Sequence, residues 1–156
     1  YESRAAALAP FAAQLAGLGA PLAALCIDYG HPQPGYGDTL QAVAAHRYAD
    51  PLQAPGENDL TAQVDFAAAG ETLRAAGLVC DGPVAQAEFL GRLGIIERAS
   101  KLMAANAAQA AQVEAGIARL IAPGGMGTRF QALGVRTGDV APLPALPAMD
   151  TSAGAS

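Results

Sequence analysis

Residues 22–28, Leu-Ala-Ala-Leu-Cys-Ile-Asp, form a continuous apolar run closed by an acid and bounded by Pro21 and Gly30. A run this short is too brief for a free helix. It reads as a strand buried on both faces, the kind found in parallel sheets. That expectation constrains everything else, because such a strand needs sheet neighbours and helices to cover it. Helical sequence does flank it. Residues 2–18 are rich in helix formers, with Leu8, Phe11, Leu15 and Leu18 at helical spacing and Pro10 as an expected kink. Downstream, Thr39 to His46 reads as a short helix, and Thr61 or Asp65 caps another that runs through FAAAGETLRAAG to Gly77. LVCDGPVAQ at 78–86 has the pattern of a strand broken at Gly82-Pro83. Helices follow at about 86–93, 95–104 and 107–121, then a PGGMG turn and a last strand at 129–135. This is α/β order with three strands, few for an independent doubly wound sheet.

Composition narrows the function classes. The chain has 156 residues, a net charge of −5 and 15% charged residues. With Lys101 as the only lysine, it lacks the basic surface that neutralises nucleic-acid phosphates. No apolar run approaches the roughly 18–20 residues of a membrane span. Cys26 and Cys80 both sit in apolar runs and read as buried, reduced thiols of a cytosolic-type protein. From Asp28 to Asp81, eight acids (Asp28, Asp38, Asp50, Glu57, Asp59, Asp65, Glu71, Asp81) face only Arg47 and Arg74. Most of these acids fall on loops and element ends. After Thr137, Gly, Pro, Ala and Ser dominate, so residues 137–156 read as a loose tail.

Two polar groups stand out. Asp28-Tyr29-Gly30-His31 lies at the end of the apolar run, and ligands of open α/β sheets bind beyond the carboxyl ends of strands. Asp59, Thr61 and Asp65 form the second group, which reads alone as a capping motif and, if close to Asp28, as part of an acidic pocket for a guanidinium. Other chemistries fail on spacing. The GYGD before Thr39 matches neither a dinucleotide turn nor a Walker loop, and Asp38 would repel a phosphate. His31, His46, Asp28 and Asp38 lack metal-ligand spacing, and no G-x-S-x-G nucleophile elbow occurs.

Taken in order, IDYGH, GDTLQAVAAHR, DPLQAPGENDLTAQVDF, GPVAQAEFLGRLGI and MGTRF resemble the C-terminal part of the MidA family of class I S-adenosylmethionine-dependent methyltransferases, from about Leu22 to Leu133. Gln63 stands where the family usually has histidine and Asn58 where it has alanine. Arg129 and Gln131 flank Phe130 in place of the usual M-G-x-L-F-K. The resemblance implies the C-terminal portion of a Rossmann-like fold. Its fifth strand would lie at 22–28, with a loop and helix insertion at 31–65 and the catalytic portion closing at 136. It also implies that S-adenosylmethionine is bound mainly by an N-terminal half, whose glycine-rich motif does not occur in this chain. The mitochondrial member of the family is a complex I assembly factor that methylates an arginine of a complex I subunit. The resemblance therefore implies a protein substrate, with its own missing half as a further partner. The compartment would be a bacterial-type cytoplasm or, for eukaryotic members, the mitochondrial matrix. Asp28, Tyr29, Asp38, Asp59 and Asp65 are the expected catalytic group, with His31, Thr39 and Thr61 binding substrate. Two other readings stay open: a non-catalytic interaction module or half of a split protein, and a small α/β enzyme using Asp28 and His31.

Overall fold

The computed structural model describes residues 6–35 and 39–148. Helix α1 (Leu8–Ala16) starts two residues before Pro10. Proline therefore occupies the first turn, where a backbone N–H has no helical acceptor, and the expected kink does not arise. Strand β1 (Ala23–His31) contains the apolar run and continues three residues past Asp28.

The segment that follows departs from expectation. Residues 39–46 form no helix. They enter an antiparallel meander of β2 (Gln41–Ala44), β3 (Arg47–Ala49) and β4 (Asp59–Thr61), with β2 in the centre. Ala45 and His46 make the two-residue turn between β2 and β3, both at positive φ (47° and 61°), as the twist of a tight hairpin demands. Helix propensity here is a weak prior, and the cross-strand pairing of Ala42 and Val43 with both neighbours overrides it.

A two-residue strand, β5 (Val64–Asp65), leads directly into α2 (Phe66–Ala75). Then come β6 (Val79–Ala85), α3 (Gln86–Arg92), α4 (Ile95–Ala105), a 3-10 turn (Ala107–Gln109), α5 (Ala110–Ile121) and β7 (Phe130–Arg136). The strand pattern at 78–86 is interrupted only by a register shift between Asp81 and Val84.

The main sheet has the order β5-β1-β7-β6. Strand β7 runs antiparallel to both β1 and β6, and β5 runs parallel to β1, so the sheet is mixed and not all-parallel. One face carries Ala24, Cys26, Cys80, Leu133 and Val135, packed against Ala12 of α1 and Phe66 and Leu73 of α2. The opposite face of β1 is open, with Leu25 45% and Ile27 42% exposed. The run is thus covered on one face and not on both, because the elements over the second face lie on β6 and β7 alone. There Val84, Phe89, Ala132 and Leu146 form a second cluster.

Leu146 belongs to the segment expected to be loose. It is 7% exposed, with Leu143 and Ala145 packed beside it. Residues 137–148 therefore form a strap across the sheet. Its anchor is the fully buried Asp81, which accepts hydrogen bonds from Arg136 and from the Leu143 amide.

Candidate active site

Strands β1, β5 and β6 all point the same way, so their carboxyl ends meet at one edge of the main sheet. That edge collects Asp28, Tyr29, His31 and Asp65, with Phe130 opening the antiparallel β7 opposite Tyr29. Gly30 makes the junction possible. It pairs with Val64, and a Cβ there would overlap the Val64 carbonyl oxygen.

Alternation along β1 divides the Asp28–His31 group between two faces. Asp28 follows Ala24 and Cys26 toward the helix-covered face, whereas Tyr29 and His31 follow Ile27. Asp28 is exposed, and its Oδ1 accepts the Tyr29 amide at 2.8 Å. Among the described residues Oδ2 accepts no hydrogen bond, leaving one carboxylate oxygen open to a ligand. The Tyr29 ring lies 6.0 Å from that of Phe130, tilted by 55°, a packing that holds the phenol at the strand end. His31 Nδ1 lies 2.6 Å from the Gln33 carbonyl. A carbonyl can only accept, so Nδ1 carries the proton of this hydrogen bond.

Asp65 is opposite His31 in the β1–β5 register. Its Oδ1 accepts the Ala68 amide at 2.9 Å, the N-cap of α2. The capping role read from the sequence is therefore real, and it occupies one of the two oxygens. Asp59 and Thr61 lie on β4 of the meander, paired with Val43 and Gln41, and not on the main-sheet edge. Thr39 is half-buried at the entrance to β2. Asp38 falls outside the described residues.

Burial, and secondarily the charge of Asp28, raises the Cys26 thiol above its ordinary value. Cys80 is raised as well, chiefly by burial. Neither thiol is activated as a nucleophile. Sequence patterning missed Phe130 as the support of Tyr29 and missed the meander altogether.

No helix among the described residues is long and apolar enough to cross a membrane. Comparison with known proteins gives a consistent family. Residues 4–84 match the Methyltransf_28 family model, described as S-adenosyl-L-methionine-dependent methyltransferase. The chain is 40% identical over 114 residues to the protein arginine methyltransferase NDUFAF7, mitochondrial, of Danio rerio, covering 70% of this chain and 26% of that protein. It is 38% identical over 123 residues to the Drosophila melanogaster homolog, covering 76% of this chain and 27% of the relative. Two solved structures of COG1565 superfamily proteins from Burkholderia thailandensis superpose with TM-scores of 0.78 and 0.77, each at 30% identity over 88% of this chain. The second is bound to S-adenosyl-homocysteine. The chain spans about a quarter of the length of these curated relatives and under two fifths of the solved chains. The ordered motifs, the mixed α/β sheet and the family match agree: the chain belongs to the Methyltransf_28 family of S-adenosyl-L-methionine-dependent methyltransferases.

Proposed function

We infer that this chain supplies the acceptor side of a protein arginine methyltransferase, with S-adenosylmethionine held mainly by an upstream half. The observation that carries the reading is the open Asp28 carboxylate at the sheet's carboxyl edge, with Tyr29 and His31 on the other face of the same strand end, in a chain 40% identical to a protein named an arginine methyltransferase. An arginine side chain is nearly always protonated, so a carboxylate must orient it and take its proton as the new N–C bond forms. Asp28 has the free oxygen for that task. Asp65 and Asp38 supply further negative charge, Tyr29 orients the acceptor, and His31 and Thr39 bind around it, while Asp59 and Thr61 meet the substrate on the meander.

Among the described residues, the junctions after β5 and β6 offer the cofactor no cradle. Strand β5 passes into α2, and β6 into α3, with no intervening residue. Neither junction leaves a glycine-rich turn whose amides could meet an adenosyl group. S-adenosylmethionine supplies an electrophilic methyl group. What this chain contributes is the orientation and deprotonation of the acceptor.

The protein substrate in this reading is a subunit of respiratory complex I. The compartment is the bacterial cytoplasm or the mitochondrial matrix. A second reading, a non-catalytic interaction module, draws on the same missing turn. Two measurements test the proposal. The coding sequence immediately 5′ to the Tyr1 codon should encode a glycine-rich strand–turn–helix in frame; a stop codon followed directly by a start would overturn it. Calorimetry with S-adenosylmethionine should give no micromolar binding to this chain alone, and tight binding would refute the proposed division of labour.

A further inference from the structure

The meander, a sheet of its own, carries a second feature. In an antiparallel sheet, residues directly opposite one another project from the same face, and the next row projects from the other. Val43 pairs with Tyr48 on one side and Asp59 on the other, so Tyr48, Val43 and Asp59 form one cross-strand row. Gln41 and Thr61, two positions along, share that face. The adjacent row is Ala49, Ala42 and Leu60; that face is covered at its centre, where Ala42 is only 1% exposed, and open at its β4 edge, where Leu60 is 57% exposed. The row with Tyr48 turns outward, and Tyr48 is 80% exposed.

On the edge strand β3, the Tyr48 ring contributes almost no burial to folding and is free to meet a ligand. Its companion is an exposed carboxylate that accepts no hydrogen bond among the described residues. Adjacent strands lie about 4.8 Å apart, which puts Tyr48 and Asp59 roughly 10 Å from each other across Val43. The gap suits a flat cation lying over Val43, with the ring on one side and the carboxylate on the other. A guanidinium meets both demands: it stacks on an aromatic face and donates two parallel hydrogen bonds to a carboxylate. The charge agrees, because Arg47 pairs with Ala44 and therefore projects from the opposite face, leaving this one without a cation.

We propose that the outward face of the meander, Tyr48–Val43–Asp59 with Gln41 and Thr61, docks an arginine-bearing segment of the protein substrate. This deepens the arginine methyltransferase reading and rests on it only for the choice of ligand. Docking here would hold the substrate chain at a point separate from the carboxylates at the sheet edge.

The test is a nuclear magnetic resonance titration of the full chain with acetyl-Arg-Gly-Arg-Gly-Arg-amide and with its uncharged citrulline counterpart. The arginine peptide should shift the amides of Val43, Tyr48 and Asp59, and the citrulline peptide should not. Tyr48→Ala and Asp59→Asn should each weaken binding by about threefold to tenfold. Arg47→Gln, on the opposite face, should leave it unweakened. Shifts confined elsewhere, equal binding of citrulline, unaltered binding by both variants, or no binding at about 10 mM peptide would overturn the proposal. The titration needs no methyl donor. Binding at this face together with no methyl transfer by the protein carrying the cofactor-binding half would sink the enzymatic reading and leave the docking face standing.

Discussion

Asp81, with no exposed side-chain surface, accepts a hydrogen bond at 2.9 Å from Nε of Arg136, itself only 11% exposed. The same Asp81 oxygen accepts the Leu143 amide at 3.0 Å, and Arg136 also donates to the Val140 carbonyl at 2.7 Å. One ion pair thus joins β6, β7 and the strap that follows β7. Because every partner is hydrogen-bonded inside a dry layer, removing one partner costs more than the pair contributes as a whole.

Asp81→Ala should therefore destabilise the fold by about 3–5 kcal/mol, since it leaves the Arg136 guanidinium buried and uncompensated. Urea denaturation measures the loss, and limited proteolysis should show cleavage moving into residues 137–148. A loss below about 1 kcal/mol, in the range of an exposed pair, would contradict the clamp.

The strap should also respond to added volume from the sheet side. A Cβ on Gly134 would sit 2.8 Å from Cδ1 of Leu146 and 3.2 Å from Cδ2 of Leu143. Gly134→Ala should cost about 1–3 kcal/mol, the range for overpacking, because leucine ends can partly yield. Gly30→Ala should be harsher, since the obstacle is the rigid Val64 backbone. Thermal melts of both variants would rank them, and an equal or reversed order would refute the distinction.

Where sequence reading succeeded and failed follows from how local each cause is. Pro21 and Gly30 bound an apolar run, and β1 starts between them. The Asp65 cap of α2 is likewise set by neighbours three residues apart. What covers each face of β1 is not local, because its partner β7 comes from the far end of the chain. The meander was hidden for a similar reason. Its Ala45-His46 turn lacks the Asn-Gly or Asp-Gly signal, and Thr39–His46 is short enough to suit either helix or strand. Pro and Ala in residues 137–148 masked Leu143 and Leu146, whose packing depends on Asp81 from another strand. At the site, Asp28, Tyr29 and His31 were placed at the strand end correctly. Their division between two faces follows from β1 continuing beyond Asp28.

The thiols give a pH dependence with a definite sign. Burial raises both Cys26 and Cys80, so the folded chain holds these protons to higher pH than the unfolded chain. Their contribution to stability is complete below the ordinary thiol value, about 8.5, and is lost as pH rises through the raised values. Stability measured by urea at pH 7 and 10 should fall less in the Cys26→Ala, Cys80→Ala double variant than in the parent. Iodoacetamide should also alkylate the folded protein more slowly than a free thiol at pH 8. Fast alkylation of Cys26 at that pH would show that its thiol is not raised.

Asp65 separates two roles with two substitutions. As the N-cap of α2 it contributes through one oxygen accepting the Ala68 amide, which asparagine can also do. Asp65→Ala should cost about 1 kcal/mol of stability, and Asp65→Asn should recover most of it. If the carboxylate serves only as a cap, the asparagine variant will also retain methyl transfer in the protein carrying the cofactor-binding half. If it contributes charge to the guanidinium, the asparagine variant will melt like the parent and lose activity, with the deficit in substrate KM for a binding charge and in kcat for a proton acceptor. Asp28→Asn has no cap to preserve, so it should leave stability within about 0.5 kcal/mol and reduce methyl transfer. Full activity in Asp28→Asn would remove the open carboxylate from the mechanism and leave Asp65 at the same edge to supply it.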